Sequence, residues 1–291
     1  MSTIQDILDI ARRHDAPSND DVPRLKISRS DYPTEPMSFI WKPAVCLVLQ
    51  GAKRMVIGNK TLEYGAGDCM IVAAEVAAMV QISQAKLGRP YLAANLYLDP
   101  AMISALLVDM AGIPEPVSLS GFNIAKAPSL LLDAWRRFVE LLDRPEEIPI
   151  MATRFEQEVL LRLLMGPQGF VLRQLARPDS RLGQIRRAME WIRERHAERI
   201  TIGQMAAIAG MSPSVFHRRF KAITELSPLQ YQKHIRLNEA RRQIITDGSN
   251  AASVGFSVGY ESPSQFSREY KRLFGEPPRR DAAALQSILE S

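Results

Sequence analysis

Cysteine is scarce in this 291-residue chain: there are two, Cys46 and Cys69. A pair of thiols cannot supply the disulfide framework that staples small secreted domains. Histidine is scarce as well. All four (His14, His196, His217 and His234) lie outside 25–98, the stretch that reads as strands. A metal-holding barrel needs two or three histidines with a carboxylate, so that chemistry is not expected there. The most apolar stretch, 69–82, contains Glu75 and falls short of the ~20 residues a membrane-spanning helix needs. The first eleven residues hold Asp6 and Asp9 rather than a basic start and an apolar core, so no secretory signal is read there. Gly-rich phosphate loops, nucleophile elbows and HExxH motifs are missing. These absences point to a cytosolic, non-membrane protein with reduced thiols, without metal or organic cofactor, and not to an enzyme.

What is present suffices for two cores: 46% of residues are hydrophobic and 24% charged, and a domain takes roughly 150 residues. The charge is unevenly placed. Residues 181–291 carry 18 Lys and Arg against 11 Asp and Glu, whereas 1–180 carry 19 against 21. A basic back half behind a slightly acidic front half is what a protein needs when one domain meets a polyanion and the other does not.

In the front half, 12–24 lacks periodicity and reads as loop. From 25 to 98 short strands alternate with turns. Leu25, Ile27 and Arg29 alternate with polar positions, 45–49 is a β-branched apolar run, and Gly51, Gly58, Gly65 and Gly67 punctuate. A small barrel or sandwich follows from that spacing. After Asp99-Pro100 the period becomes helical. Met102, Leu106 and Met110 share a face; Leu131, Trp135, Phe138 and Leu142 form a stripe; so do Phe155, Val159 and Leu163, with Arg154–Glu158 and Glu158–Arg162 as i,i+4 pairs. These helices either pack on the barrel or form a dimer seam. Cys46 and Cys69 sit in strand-like apolar runs. They read as small buried hydrophobes or, more sharply, as an effector or redox sensor. The sensor needs access and a lowered thiol pKa, and no neighbouring cation in the sequence provides one.

The back half repeats one pattern. In 201–221, Thr201 and Gln204 suit a capping box, and Ile202, Met205, Ala206 and Ala209 face inward. Gly210 ends the short helix, and Ser212-Pro213 starts the next as N-cap and first residue. Phe216 and Phe220 fix the buried face of that helix, which leaves Ser214, His217, Arg218 and Lys221 outward. In 250–272 Ser262-Pro263, Phe266 and Tyr270 repeat the arrangement, with Ser264, Gln265 and Arg268 outward. Each copy reads as a helix-turn-helix, whose second helix presents its N-terminal part to the major groove. Ser214, His217, Arg218, Ser264, Gln265 and Arg268 are therefore the base-reading candidates, the arginines able to grip guanine with two hydrogen bonds. Lys221, Arg236, Ser267, Lys271 and Arg272 are the phosphate candidates. Between the copies 228–247 reads as one helix, with Leu229, Ile235, Leu237, Ala240 and Ile244 mainly core and Gly248 ending it. At ~1.5 Å per residue it forms a rod of roughly 28 Å, near the ~34 Å between successive major grooves on one face of DNA.

Arg236-Leu237-x-x-Ala240-Arg241 and the signature Val254-Gly255-Phe256, Ser262, Phe266-Ser267-Arg268, Tyr270-Lys271-Arg272, Phe274-Gly275, Pro277-Pro278 resemble the C-terminal domain of the AraC/XylS transcription regulators over about 183–280. One departure is Arg279-Arg280-Asp281, where the family has an aromatic followed by Arg. A last helix from 282 to 289 is expected to anchor through Leu285 and Leu289. The front half, with CLVLQG at 46–51, resembles the regulatory domain of the same family. The resemblance implies an α+β chain: a cupin-like β-barrel with trailing helices over 1–177, a linker at 175–180, and an all-α domain over 181–291 whose two helix-turn-helix motifs are joined by a helix. It implies a transcription regulator, commonly an activator, that binds promoter DNA, meets RNA polymerase, dimerises, and responds to a small-molecule effector. The rival readings are a metal-independent enzyme or ligand carrier built on the barrel, and a sequence-indifferent architectural DNA binder.

Overall fold

The computed structural model describes residues 4–14, 21–110, 120–177, 180–247 and 250–289. Helix α1 (Ile4–Arg13) precedes eight strands: β1 (Leu25–Ser30), β2 (Met37–Trp41), β3 (Ala44–Gln50), β4 (Ala52–Ile57), β5 (Lys60–Gly65), β6 (Asp68–Val72), β7 (Val76–Gln84) and β8 (Tyr91–Tyr97). Helix α2 (Pro100–Asp109) and strand β9 (Phe122–Lys126) follow, then α3 (Ser129–Val139), α4 (Ile148–Met165) and α5 (Gly169–Ala176). The remainder is helical: α6 (Arg181–Glu194), α7 (Ile202–Ile208), α8 (Pro213–Thr224), α9 (Pro228–Asp247), α10 (Ala251–Ser257), α11 (Pro263–Phe274) and α12 (Pro278–Leu289). This is the expected α+β class.

The strands form two antiparallel sheets, ordered β1-β8-β3-β6-β9 and β2-β7-β4-β5. Every residue of β3 is buried. A strand covered on both faces needs no polar alternation, which is why AVCLVL reads as a continuous apolar run. Its outer cover includes α1, which the sequence reading missed. The 12–24 loop reading fails at its start, because Arg12 and Arg13 complete α1; residues 15–20 lie outside the described ones. Helix α1 buries Ile7, Leu8, Ile10 and Ala11, and its exposed end is fixed by Asp143, which accepts from Arg13 and lies 2.7 Å from His14 Nε2.

The trailing helices bury their stripes inside the chain. Leu131, Trp135, Phe138 and Leu142 are all in the core, as are Val159 and Leu163. The packing alternative is thus the one realised for these faces. Helix α2 ends at Asp109 and buries Ile103, while Met102, Leu106 and Met110 are only half-buried. The Arg154–Glu158 pair does not form: Arg154 donates to the Ile150 carbonyl, and Glu158 takes a two-pronged hydrogen bond from Arg137 of α3. A guanidinium on the facing helix reaches both carboxylate oxygens, which an i,i+4 neighbour cannot do as well. Arg24 grips Glu156 of α4 likewise, at 2.9 and 2.6 Å. Burial pushes the Glu156 pKa up, and Arg24 offsets part of that.

The proposed 175–180 linker overlaps a helix at its start, since Leu175 and Ala176 belong to α5. One continuous apolar cluster runs from α1 through the barrel and α6–α8 to Ile235 in α9. A second, separate cluster starts at Leu237 and contains the last repeat. The break in the core falls inside α9, not at the sequence boundary between domains.

Candidate nucleic-acid interface and barrel cavity

Each repeat is built from the same local chemistry. Thr201 and Gln204 make a complete capping box on α7, and Asn250 caps α10. Gly210 and Gly259 adopt φ of +65° and +89° after these helices, a region that favours glycine. Pro213 and Pro263 open α8 and α11. Ser262 accepts from the Gln265 amide, but Ser212 makes no such bond: its hydroxyl lies 3.5 Å from that of Ser214. Phe216–Phe220 and Phe266–Tyr270 stack one turn apart, with ring centroids 5.4 and 5.6 Å apart. Gly255 stands where the first repeat has Ala206. A Cβ there would lie 3.0 Å from the Phe266 ring, so the short helix can close on the aromatic pair.

These buried faces turn the expected reading faces outward. Ser214, His217, Arg218 and Lys221 are exposed on α8; Ser264, Gln265, Arg268, Lys271 and Arg272 are exposed on α11; Ser267 is half-buried. Arg218 and Arg268 make no ion pair or hydrogen bond among the described residues, and their donors are left for a ligand.

Arg236 departs from the expectation of a phosphate contact. It donates to four backbone oxygens: His196 at 2.6 Å, Ala197 at 3.3 Å, Glu198 at 2.9 Å and Gly259 at 2.9 Å. Gln232 donates to the His196 and Glu198 carbonyls as well. These carbonyls follow the end of α6 and lack helical partners, so a planar guanidinium satisfies several at once. Gly259 makes the approach possible, because a Cβ there would sit 2.1 Å from the Ala197 oxygen. Arg236 thus clamps the turn of the second repeat to the first. Leu229 also departs: it is 51% exposed, and Tyr231 and Gln232 are buried instead. Leu285 and Leu289 lie outside the described side chains. The anchor of α12 is Asp281, which accepts from Arg241 at 2.8 and 2.9 Å and from Tyr270 at 2.8 Å, with Arg241 stacked on Phe274.

The barrel holds an open-mouthed cavity of about 870 Å³ between its sheets. Its wall includes β2, Glu75, Tyr91, Asn95 and Lys53. Both cysteines are buried free thiols whose pKa burial raises, the unreactive condition. Their registers (Cys46 opposite Met70, Cys69 opposite Leu47) put them on opposite faces of the sheet. The cation missing from their sequence neighbourhood is supplied across the barrel, since Lys53 acts on Cys46. The sequence held a signal for Lys53: in KRMVI, strict alternation puts it on the face of Met55 and Ile57. Among the described residues no group of three His, Cys, Asp or Glu could hold a metal, and no helix is long and apolar enough to cross a membrane.

Residues 21–171 match the family model for the AraC-type transcriptional regulator N-terminus, and 205–283 match a helix-turn-helix domain model. The chain belongs to the AraC-type transcriptional regulators. Its relatives include the HTH-type transcriptional activators RhaS of Yersinia pseudotuberculosis and Yersinia pestis, each 25% identical over 137 residues, 47% of this chain and 48% of theirs. The chain spans about half the length of the curated relatives it matches. The apo structure of a ToxT variant from Vibrio cholerae has the same fold, with a TM-score of 0.58 and 8% identity, covering 88% of this chain and 96% of that one. In this AraC-type regulator Arg236 and Asp281 tie the helical half together, and Lys53 lies on the wall of the barrel cavity.

Proposed function

We propose that the chain is a cytoplasmic, sequence-specific regulator of transcription that acts, as a homodimer, on promoter DNA and RNA polymerase, commonly as an activator. Residues 1–177 serve as the sensory and dimerising part and 181–291 as the reader. The observation that carries this reading is the duplicated exposed face, with Arg218 and Arg268 turned outward by two equivalent aromatic cores and without partners among the described residues. Ser214, His217 and Arg218 read one major-groove segment and Ser264, Gln265 and Arg268 the next. Lys221, Ser267, Lys271 and Arg272 hold phosphates. Helix α9 has 20 residues, a rod of ~30 Å at 1.5 Å each, close to the ~34 Å between grooves; modest DNA bending accommodates the rest. The barrel cavity, walled by β2 next to α9 and α11, is the seat of a small effector.

Binding sites selected from random DNA, then competed against random DNA at fixed salt, test this. Arg268→Ala is expected to lose about 1–3 kcal/mol on the selected site and little on random DNA. An equal loss on both would make Arg268 a phosphate contact and remove it from readout.

A further inference from the structure

The barrel cavity contains a cation that DNA reading does not use. A register shift in the β4–β7 pairing, between Ala52 and Lys53, accompanies the inward placement of the Lys53 side chain. Lys53 is 8% exposed, and its ammonium lies 4.3 Å from the centroid of the Trp41 ring and 5.8 Å from that of Tyr91. Aromatic faces attract an ammonium but do not replace the lone pairs its three N–H groups seek. Among the described residues no carboxylate or carbonyl accepts from it. Glu75, the acid on the cavity wall, is already paired with Arg193 of α6. Cys46 is a thiol that burial keeps protonated, and burial likewise pushes the Lys53 pKa down, as expected for a charge without a counter-ion.

The surroundings narrow what could complete this site. Phe39, Trp41, Tyr91, Tyr97, Val80 and Ile82 line the cavity, whose volume suits a small organic ligand. A sugar would need a polar partner for each hydroxyl, and the Asn95 NH2 group is already committed to the Lys26 carbonyl and the Ser28 hydroxyl. Tyr64, opposite Lys53 in the β4–β5 register, has a buried hydroxyl with no hydrogen-bond partner among the described residues.

We propose that this cavity binds a small organic monocarboxylate with a flat apolar body, its carboxylate on Lys53 Nζ and its body against the Trp41 and Tyr91 rings. The assignment rests on reading the barrel as the effector site and gives that effector its chemistry. It also gives a route outward. Strand β2 carries Trp41 on the cavity wall and lies against the linker helix α9 and the second reading helix α11, while Glu75 on the same wall holds α6.

The test titrates the full chain, by calorimetry and tryptophan fluorescence, with phenyl-substituted and straight-chain alkanoates of four to twelve carbons, each beside its primary amide. At least one phenylalkanoate is expected to bind tenfold or more tightly than its amide, and Lys53→Met is expected to erase that preference. An acid and amide of equal affinity, or no acid that saturates at millimolar concentration, would overturn the proposal. Straight-chain acids that outbind every phenyl acid would overturn the flat body. Should Lys53→Met fail to fold, the acid–amide comparison on the unaltered chain still decides. The effector reading fails separately: a tightly bound acid would then leave the affinity for the selected DNA site unchanged.

Discussion

The two helix-turn-helix repeats share a recipe but not a support. The first is part of the barrel's own core, since Phe216, Phe220 and Ile223 belong to the cluster that begins at α1. Its last turn touches the barrel directly. Lys60 pairs with Glu225 at 2.8 Å, Gly58 leaves room for Glu225, and Gly121 leaves room for the Ile223 carbonyl. The second repeat has a small core of its own around Val254, Val258, Tyr260, Phe266 and Tyr270. Polar ties complete it: Arg236 to the turns, Arg241 to Asp281, and Glu269 accepting from Lys233 and Tyr260. A similar local pattern thus yields one exposed helix, α8, fixed to the barrel and another, α11, held at the far end of α9. The barrel packs directly against the first and meets the second through β2 and α9.

The largest expected effect separates the two cores. Phe216→Ala and Phe266→Ala each remove a fully buried aromatic, a loss of about 3–5 kcal/mol. All three tryptophans (Trp41, Trp135 and Trp191) lie outside the second core. In Phe266→Ala the tryptophan-monitored denaturant transition should stay put while helical circular dichroism is lost early; in Phe216→Ala both should move. Coincident transitions in both variants would mean a single cooperative unit.

Acid should also strike the second repeat first. Burial, then Lys233 and Arg272, lower the His234 pKa to about 4, against ~6.5 for an unfolded histidine. The depressed value means that the neutral ring is favoured in the fold. That stability is fully present above pH ~6.5, is lost as pH falls toward 4, and amounts to at most ~3 kcal/mol. His234→Gln should flatten the pH dependence of helix melting between those values, and an unchanged slope would assign it to other groups.

Arg236 sharpens the comparison further. Arg236→Met should weaken binding to a full two-groove site by about 2 kcal/mol while sparing a DNA fragment carrying one groove's worth of contacts, because the spacing is lost rather than a phosphate contact. Equal losses on both, with a salt slope smaller by about one ion, would restore the phosphate role. The smallest effect belongs to the seam: Glu225→Gln weakens a pair whose Lys60 end is exposed, and should cost about 1 kcal/mol in thermal unfolding. A larger loss would show that the seam, not the shared core, fixes the first repeat.

The outward faces of α8 and α11 were legible because helical period is local. Phe216 and Phe220, or Phe266 and Tyr270, four residues apart, name the buried side, and the outward side follows by geometry. Local pattern likewise gave the strand-like run at 45–49 and the stripe of α3. It failed where a side chain's partner is distant in sequence. Arg236 looked like any basic residue on a helix until the carbonyls of 196–198 and 259 came to meet it. Asp281 looked like a departure from a signature and is the acceptor for Arg241 and Tyr270. Leu229 looked like core and is exposed, since which face of α9 is covered depends on α6 and α10 as well as on its own period.

By itself, then, the sequence determined most of the elements, the duplicated outward face and the basic half that carries it, because caps, turns and apolar periods act over a few residues. Only the tertiary structure decided that the core divides within α9, that Arg236 clamps backbone carbonyls instead of facing phosphate, and that Lys53 stands beside Trp41 and Tyr91 with no carboxylate partner among the described residues. Those outcomes depend on which carbonyls, rings and carboxylates the fold brings within a few ångströms, and no local pattern encodes such distances.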